Sequence, residues 1–247
     1  MTIIKLMNAT YRQTKILNTL IEDYIKLAKP ISSQLLLKRH NFGLSPATIR
    51  NELQELTSIG YLNQPHISSG RVPTDKGYRF FVNDFLESNF KDYDKEFFKD
   101  FKKMYHFLSG NDNILKFTHE IAQSLARTSE SFSVVYLKEA EFFWKEGWQE
   151  VFQEPEFKNS ELIFRFVKMM DNFEKEIESI SLGNLLLKVY IGRESPFARS
   201  QDFSIIVSKC HFPNDIQGFL CILGPKRMAY KKNINLLNSL AKTLESL

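Results

Sequence analysis

From Thr14 to Ala28 the apolar positions fall at Ile16, Leu17, Leu20, Ile21, Tyr24 and Ile25, the spacing of one helical face, and Lys29-Pro30 ends the run. Ser32 or Ser33 then stands where a short second helix carrying Leu35, Leu36 and Leu37 needs an N-cap. A tight connection at Asn41-Phe42-Gly43-Leu44 leads to Ser45-Pro46, a cap followed by a proline whose missing N–H is of no consequence in a first turn. The third helix is expected to run to Gly60. At about 100° per residue, Leu53 and Leu56 lie within about 40° of Ile49 and define a buried stripe; Ala47, Arg50, Asn51 and Gln54 lie on the far side.

Tyr61 to Pro65 reads as a short strand, and His66-Ile67-Ser68-Ser69-Gly70-Arg71-Val72-Pro73 as a loop rich in turn formers with one arginine near its tip. Thr74 caps the next helix, with Asp75 in its first turn. The helical pattern persists to Leu108, where Phe97, Phe98, Phe101, Met104, Tyr105 and Leu108 form a stripe that reads either as a dimerisation seam or as core. Beyond it the pattern predicts helices at Ile114–Ala126, Leu162–Ile180 and Asn233–Leu247. Strands are predicted at Phe132–Leu137, Leu185–Tyr190, Phe203–Lys209 and Gly218–Leu223. Short strands flanked by helices suggest an α+β sandwich.

Composition changes this picture in one place. The net charge of the 247 residues is +4, and all of the excess lies early: residues 1–90 hold 11 Lys+Arg against 7 Asp+Glu, and the remainder 22 against 22. A basic module of this kind is what meets a polyanion. Cys210 and Cys221 are too few for a disulfide framework and read as reduced, partly buried thiols, and the five histidines form no ligand pair. No metal or cofactor is expected. Without a phosphate-binding glycine loop, a nucleophile elbow or a histidine pair at ligand spacing, an enzyme is not expected either; Cys210 and His211 are strand neighbours that point to opposite faces. There is no long apolar span, and the first residues lack an apolar core like that of a signal peptide, so a cytoplasmic protein with no membrane partner is expected.

The candidate chemistry sits on the third helix. Arginine can pair with guanine, and asparagine or glutamine with adenine, so Ala47, Arg50, Asn51 and Gln54 are candidate base readers. Ser33, Ser45 and Thr48 near helix starts suit phosphate oxygens, as do His66, Ser68, Ser69 and Arg71 in a wing. Gly224-Pro225-Lys226-Arg227 follows a strand: Lys226 and Arg227 read either as an anion grip with a regulatory role or as part of a strand-to-helix turn. Phe142, Phe143, Trp144, Trp148 and Phe152 form a dense aromatic group that reads as core or as a surface for a partner.

Ser45-Pro46-Ala47-Thr48-Ile49-Arg50-Asn51-Glu52-Leu53, Gly60-Tyr61-Leu62 with Gln64-Pro65-His66, and Gly70-Arg71-Val72-Pro73-Thr74-Asp75-Lys76-Gly77-Tyr78-Arg79-Phe80 together resemble the heat-inducible transcription repressors called HrcA. Ile191-Gly192-Arg193-Glu194 and Gly224-Pro225-Lys226-Arg227-Met228-Ala229-Tyr230 are similar to that family's downstream signatures. The resemblance implies an N-terminal winged helix-turn-helix over residues 1–82, a linker helix over 83–110 and a C-terminal GAF-like α+β regulatory and dimerisation domain over 111–247. The chain is shorter than the family pattern between Val134 and Trp148, and a reduced insertion is expected around 138–160. It also implies a homodimer binding double-stranded DNA at an inverted-repeat operator, CIRCE, upstream of chaperone operons of the groE and dnaK type. Its activity would be supported by the GroE chaperonin and lost on heat stress. The alternative is a metabolite-responsive winged-helix regulator that uses its GAF-like domain to sense a ligand.

Overall fold

A computed structural model describes residues 9–67, 69–88, 114–179, 182–183, 185–197 and 202–246. The chain divides into two compact units, Met1–Asn89 and Phe90–Leu247. Helix α1 (Tyr11–Leu27) starts earlier than its apolar stripe because Thr10 and Gln13 form a reciprocal capping box. Helix α2 (Ser33–Arg39) is capped by Ser32, whose hydroxyl accepts from the Leu35 N–H at 3.1 Å. Helix α3 (Pro46–Ser58) is capped by Ser45, with Pro46 at its first position, and stops at Ile59–Gly60 as expected, Gly60 taking a left-handed φ of 81°. Ile49, Leu53 and Leu56 face inward against Ile16, Leu17, Leu20 and Ile21, as the phasing requires.

Strands β1 (Leu62–Asn63) and β2 (Val72–Pro73) pair antiparallel and enclose the wing loop. Helix α4 (Asp75–Glu87) follows, capped by Thr74, whose hydroxyl also donates to the Gly60 carbonyl at 2.7 Å. Two glycines in this stretch are required by close approach. A Cβ on Gly70 would lie 2.4 Å from the Ile31 carbonyl carbon, and one on Gly77 would lie 2.2 Å from the Tyr61 oxygen. The aromatic stripe Phe97 to Leu108 lies outside the described residues.

The second unit comprises α5 (Ile114–Ser129), β3 (Phe132–Leu137), β4 (Phe142–Glu146), α6 (Trp148–Phe152), a 3-10 turn (Pro155–Lys158), α7 (Ser160–Glu176), β5 (Leu187–Ile191), β6 (Phe203–Phe212), β7 (Ile216–Pro225) and α8 (Tyr230–Leu244). The strands form one antiparallel sheet in the order β4-β3-β7-β6-β5. Phe132, Val134 and Tyr136 share one face with Phe203, Ile205 and Val207, and meet Phe166, Met169, Met170 and Phe173 of α7. On the other face the Ser133 hydroxyl donates to Ala122 O of α5 at 2.7 Å, and Ser204 pairs with the Tyr230 hydroxyl of α8 at 2.7 Å. Helices therefore cover both faces, and every residue of β3 is buried, which is why that strand is apolar at every position but Ser133 rather than alternating. This is the α+β architecture expected.

Residues 138–160, expected to hold a reduced insertion, supply the edge strand β4, the short helix α6 and the 3-10 turn. Their aromatic residues join the core. Phe143 stacks on Tyr136 with centroids 4.5 Å apart, and Trp148 meets Phe132 edge-on at 4.4 Å; Trp148 and Phe152 nonetheless stay 37% and 38% exposed. Cys210 and Cys221 are fully buried, and burial raises both thiol pKa values, so neither is a ready nucleophile. His211 is half-buried, on the face opposite Cys210. Among the described residues, no helix is long and apolar enough to cross a membrane.

Candidate nucleic-acid interface

Helix α3 divides its polar residues between two environments. Ala47, Arg50, Asn51 and Gln54 are exposed together on its outer face. Among the described residues, Arg50 and Asn51 have no side-chain hydrogen-bond partner. The two acids of the helix turn the other way. Glu52, its side chain 6% exposed, receives the Arg12 guanidinium of α1 at 2.5 Å, and Glu55 accepts from Gln13 Nε2 at 2.6 Å. The charge of Glu52 is thus buried and paired on α1, Glu55 stays exposed but is bonded back to α1, and the face with Ala47, Arg50, Asn51 and Gln54 presents one cation and two amides. Such a face suits base edges that lie beside a negatively charged backbone.

Ser45 and Thr48 are coupled. The Thr48 N–H donates to Ser45 Oγ at 3.1 Å, and the two hydroxyls lie 2.9 Å apart. Their first duty is to cap α3, at the positive end of its dipole. Ser33 is half-buried as the first residue of α2, and Ser32, not Ser33, is the cap. The turn leading into α3 is tied to α1 by Asp23, a carboxylate with a side chain 2% exposed that binds Arg39 Nε at 3.1 Å and His40 Nε2 at 2.9 Å.

The wing is shaped from within. The Ser69 hydroxyl donates to His66 O at 2.7 Å and accepts from the His66 N–H at 2.9 Å. Gln64 Nε2 donates to Ile67 O at 2.7 Å and Ser69 O at 3.1 Å. His66 is exposed, Ile67 is 99% exposed at the tip, and Ser68 lies outside the described residues. Arg71 does not reach outward. Its main chain bridges Ile31 with bonds of 2.8 and 2.9 Å, its Nε donates to Thr57 Oγ1 at 3.0 Å, and an Nη donates to Gln54 Oε1 at 3.1 Å. The sequence reading passed over Gln64, Thr57, Asp23, Glu52 and Glu55. Glu52 alone carried a signal, since its phase places it about 60° from Ile49, at the border of the buried stripe.

The Lys226–Arg227 pair is drawn into the turn as well. Arg227, its side chain 9% exposed, donates to both oxygens of Glu156 at 2.8 and 3.0 Å and also binds Glu154. Burial alone would lower its pKa, but the two carboxylates more than offset this and raise it. The guanidinium is consumed by this ion pair, which corrects its reading as a grip for an outside anion. The Lys226 N–H donates to Asp202 O at 3.1 Å, and its carbonyl accepts from the Tyr230 hydroxyl at 2.7 Å. Separately, a cavity of about 260 Å³ opens at one end of the sheet between Tyr136, Lys138, Glu178, Lys209 and Phe219. Among the described residues, no three His, Cys, Asp or Glu side chains gather as a metal ligand set.

Residues 78–234 match the family model for the HrcA protein C-terminal domain. A heat-inducible transcription repressor HrcA from Natranaerobius thermophilus is 55% identical over 80 residues, covering 32% of this chain and 23% of that protein. One from Thermoanaerobacter sp. is 26% identical over 96% of both chains; that alignment spans 330 positions against the 247 residues here, so the relative carries stretches this chain lacks. A crystal structure of a hypothetical protein at 2.2 Å resolution shares the fold, with a TM-score of 0.75, 20% identity, and coverage of 97% of this chain and 99% of that one. The chain belongs to the HrcA family of heat-inducible transcription repressors.

Proposed function

We propose that this repressor acts by reading an inverted-repeat operator of the CIRCE type upstream of chaperone operons. It would work in the cytoplasm as a homodimer, placing α3 of each protomer in a major groove. The observation that carries this reading is the outer face of α3: Arg50 and Asn51 stand exposed with no side-chain partner among the described residues, Glu52, which would repel the phosphates, is buried against Arg12 of α1, and Glu55 is bonded back to α1 through Gln13. Ala47, Arg50, Asn51 and Gln54 face the bases in this scheme. Ser33, Ser45, Thr48, His66, Ser68 and Ser69 lie along the sugar-phosphate backbone, where contacts set register rather than sequence. An inverted repeat has twofold symmetry, which a symmetric dimer matches half-site by half-site. Support of the active fold by the GroE chaperonin would make repression follow chaperone supply, and heat, by occupying the chaperonin with unfolded clients, would release it.

Titration of the full chain onto inverted-repeat and scrambled duplexes, followed by fluorescence anisotropy, tests the operator reading. Tighter binding to the repeat by roughly 1000-fold is expected at physiological salt, and equal binding to both would sink it. Sedimentation at the concentrations used gives the oligomeric state, and the active fraction with and without chaperonin and ATP tests the regulatory part. The cavity between Lys138 and Lys209 favours a second reading, in which a small anionic metabolite sets the repressor's activity. Such a ligand would raise the melting temperature of the second unit by mass action in a metabolite screen.

A further inference from the structure

Arg71 stands in the wing stem, yet its backbone, its Nε and one of its Nη groups are already engaged inside the protein. Its backbone bridges Ile31, and the close passage of Gly70 over Ile31 leaves that bridge no room to shift. Its Nε donates to Thr57 Oγ1, and the Thr57 hydroxyl proton is itself donated to Leu53 O at 2.7 Å, so only a lone pair faces the guanidinium. The remaining reach of the side chain ends on Gln54 Oε1. A guanidinium has five N–H donors and no acceptor. The amide of Gln54 can therefore meet it only through oxygen, and its Nε2 hydrogens must point elsewhere; among the described residues they have no partner.

We propose that Arg71 is a positioning residue that locks the Gln54 amide with its amine outward, so that Gln54 reads a base edge made of acceptors. The inference rests on the reading of α3 as the DNA-facing helix. A free glutamine pairs with adenine at two points, accepting from N6 and donating to N7. With one lone pair of its oxygen taken by Arg71 and the orientation of the amide fixed, Gln54 leads with its two Nε2 donors and has only the second lone pair left to accept. Guanine, with N7 and O6 both acceptors, satisfies both donors, whereas the N6 amino group of adenine meets the outward amine donor against donor. At the base pair facing Gln54 the protein prefers guanine to adenine, and the wing stem sets that preference without touching DNA.

The experiment measures binding of the full chain to operators varied one base pair at a time. The pair read by Gln54 is the one whose preference disappears in Gln54→Ala. There the unaltered protein is expected to favour guanine over adenine by roughly five-fold or more. Arg71→Ala, and Thr57→Val, which removes the anchor while keeping the charge, should bring that ratio to about one or tip it toward adenine. Preferences at other pairs and the slope of affinity with salt should stay as they were. Gln54→Lys, a donor-only side chain, should keep the guanine preference even alongside Arg71→Ala.

The proposal is overturned if the unaltered protein prefers adenine at that pair. It is equally overturned if Arg71→Ala weakens all duplexes alike and lowers the salt slope by roughly one, the mark of a phosphate contact. Should Arg71→Ala fail to fold, Thr57→Val decides alone, and an unchanged ratio in that variant counts against the lock. An unaltered protein that binds every duplex equally would remove the operator reading and this inference together, a result distinct from selective binding with the wrong preference.

Discussion

Arg71 stands between Gly70 and the short strand β2, Arg227 in the turn after β7, and each reads in the sequence as a possible grip for an anion. Folding turns both inward, to different ends. Arg227 meets two carboxylates, Glu154 and Glu156, and its side chain is almost wholly buried, so its charge is cancelled where it stands. Arg71 meets a hydroxyl and an amide, both neutral, and stays half-exposed, so its charge persists at the edge of the reading face while its geometry is fixed. The first is a staple between the turn after β7 and the 3-10 turn before α7. The second joins a wing to a helix and leaves the local potential positive. What separates them is the polarity of the partners, not the residue or the turn.

The contrast is broken most strongly at Arg227. Arg227→Ala leaves two neighbouring carboxylates without their cation, and a loss of about 3 kcal/mol is expected. Calorimetry of the full chain should then show the transition of the second unit lowered by roughly 6–12 °C, with part of the loss regained when Glu154 and Glu156 are also changed to glutamine. A silent substitution would mean that the staple contributes little.

Gly70→Ala comes next. Its methyl would press on the Ile31 backbone and cost about 2 kcal/mol through displaced main chain. Because that shift loosens the Arg71 bridge, operator affinity should fall by roughly ten-fold or more while the second unit melts as before. Asn51→Ala tests the exposed face itself: a loss of about 1–3 kcal/mol on the matched operator, none on scrambled DNA and no change in melting temperature. Equal losses on both DNAs would assign Asn51 to the backbone. The smallest effect belongs to Ser45→Ala, which removes the α3 cap and should cost about 1 kcal/mol in urea unfolding, with a uniform, modest weakening on DNA.

Much of the first unit was legible because its signals are local. Caps at Ser32, Ser45 and Thr74, the proline at position 46, and the apolar phasing of α1 and α3 each act within one turn of chain. Strand β4 was missed for the same reason in reverse. Phe142-Phe143-Trp144 shows no alternation, and the hairpin before it, Lys138 to Glu141, has no glycine, proline or asparagine; Glu141 takes the left-handed conformation instead, with φ of 48°. The regular strands β6 and β7 were found but cut short, since their ends at Phe212 and Ile216 are held by pairing with each other rather than by their own composition.

By itself the sequence determined the basic first third, the winged helix with its outward face at Ala47, Arg50, Asn51 and Gln54, and membership of a repressor family through strings too long to recur by chance. Tertiary structure alone decided where the charges point. Glu52 and Glu55 bond back to α1, Arg227 is spent on Glu154 and Glu156, and Arg71 closes on Gln54 across 17 positions of chain. Periodicity fixes the face of a helix from which a side chain leaves. The partner met by a long, flexible arginine or glutamate depends on which distant segment packs beside it, and no local pattern carries that.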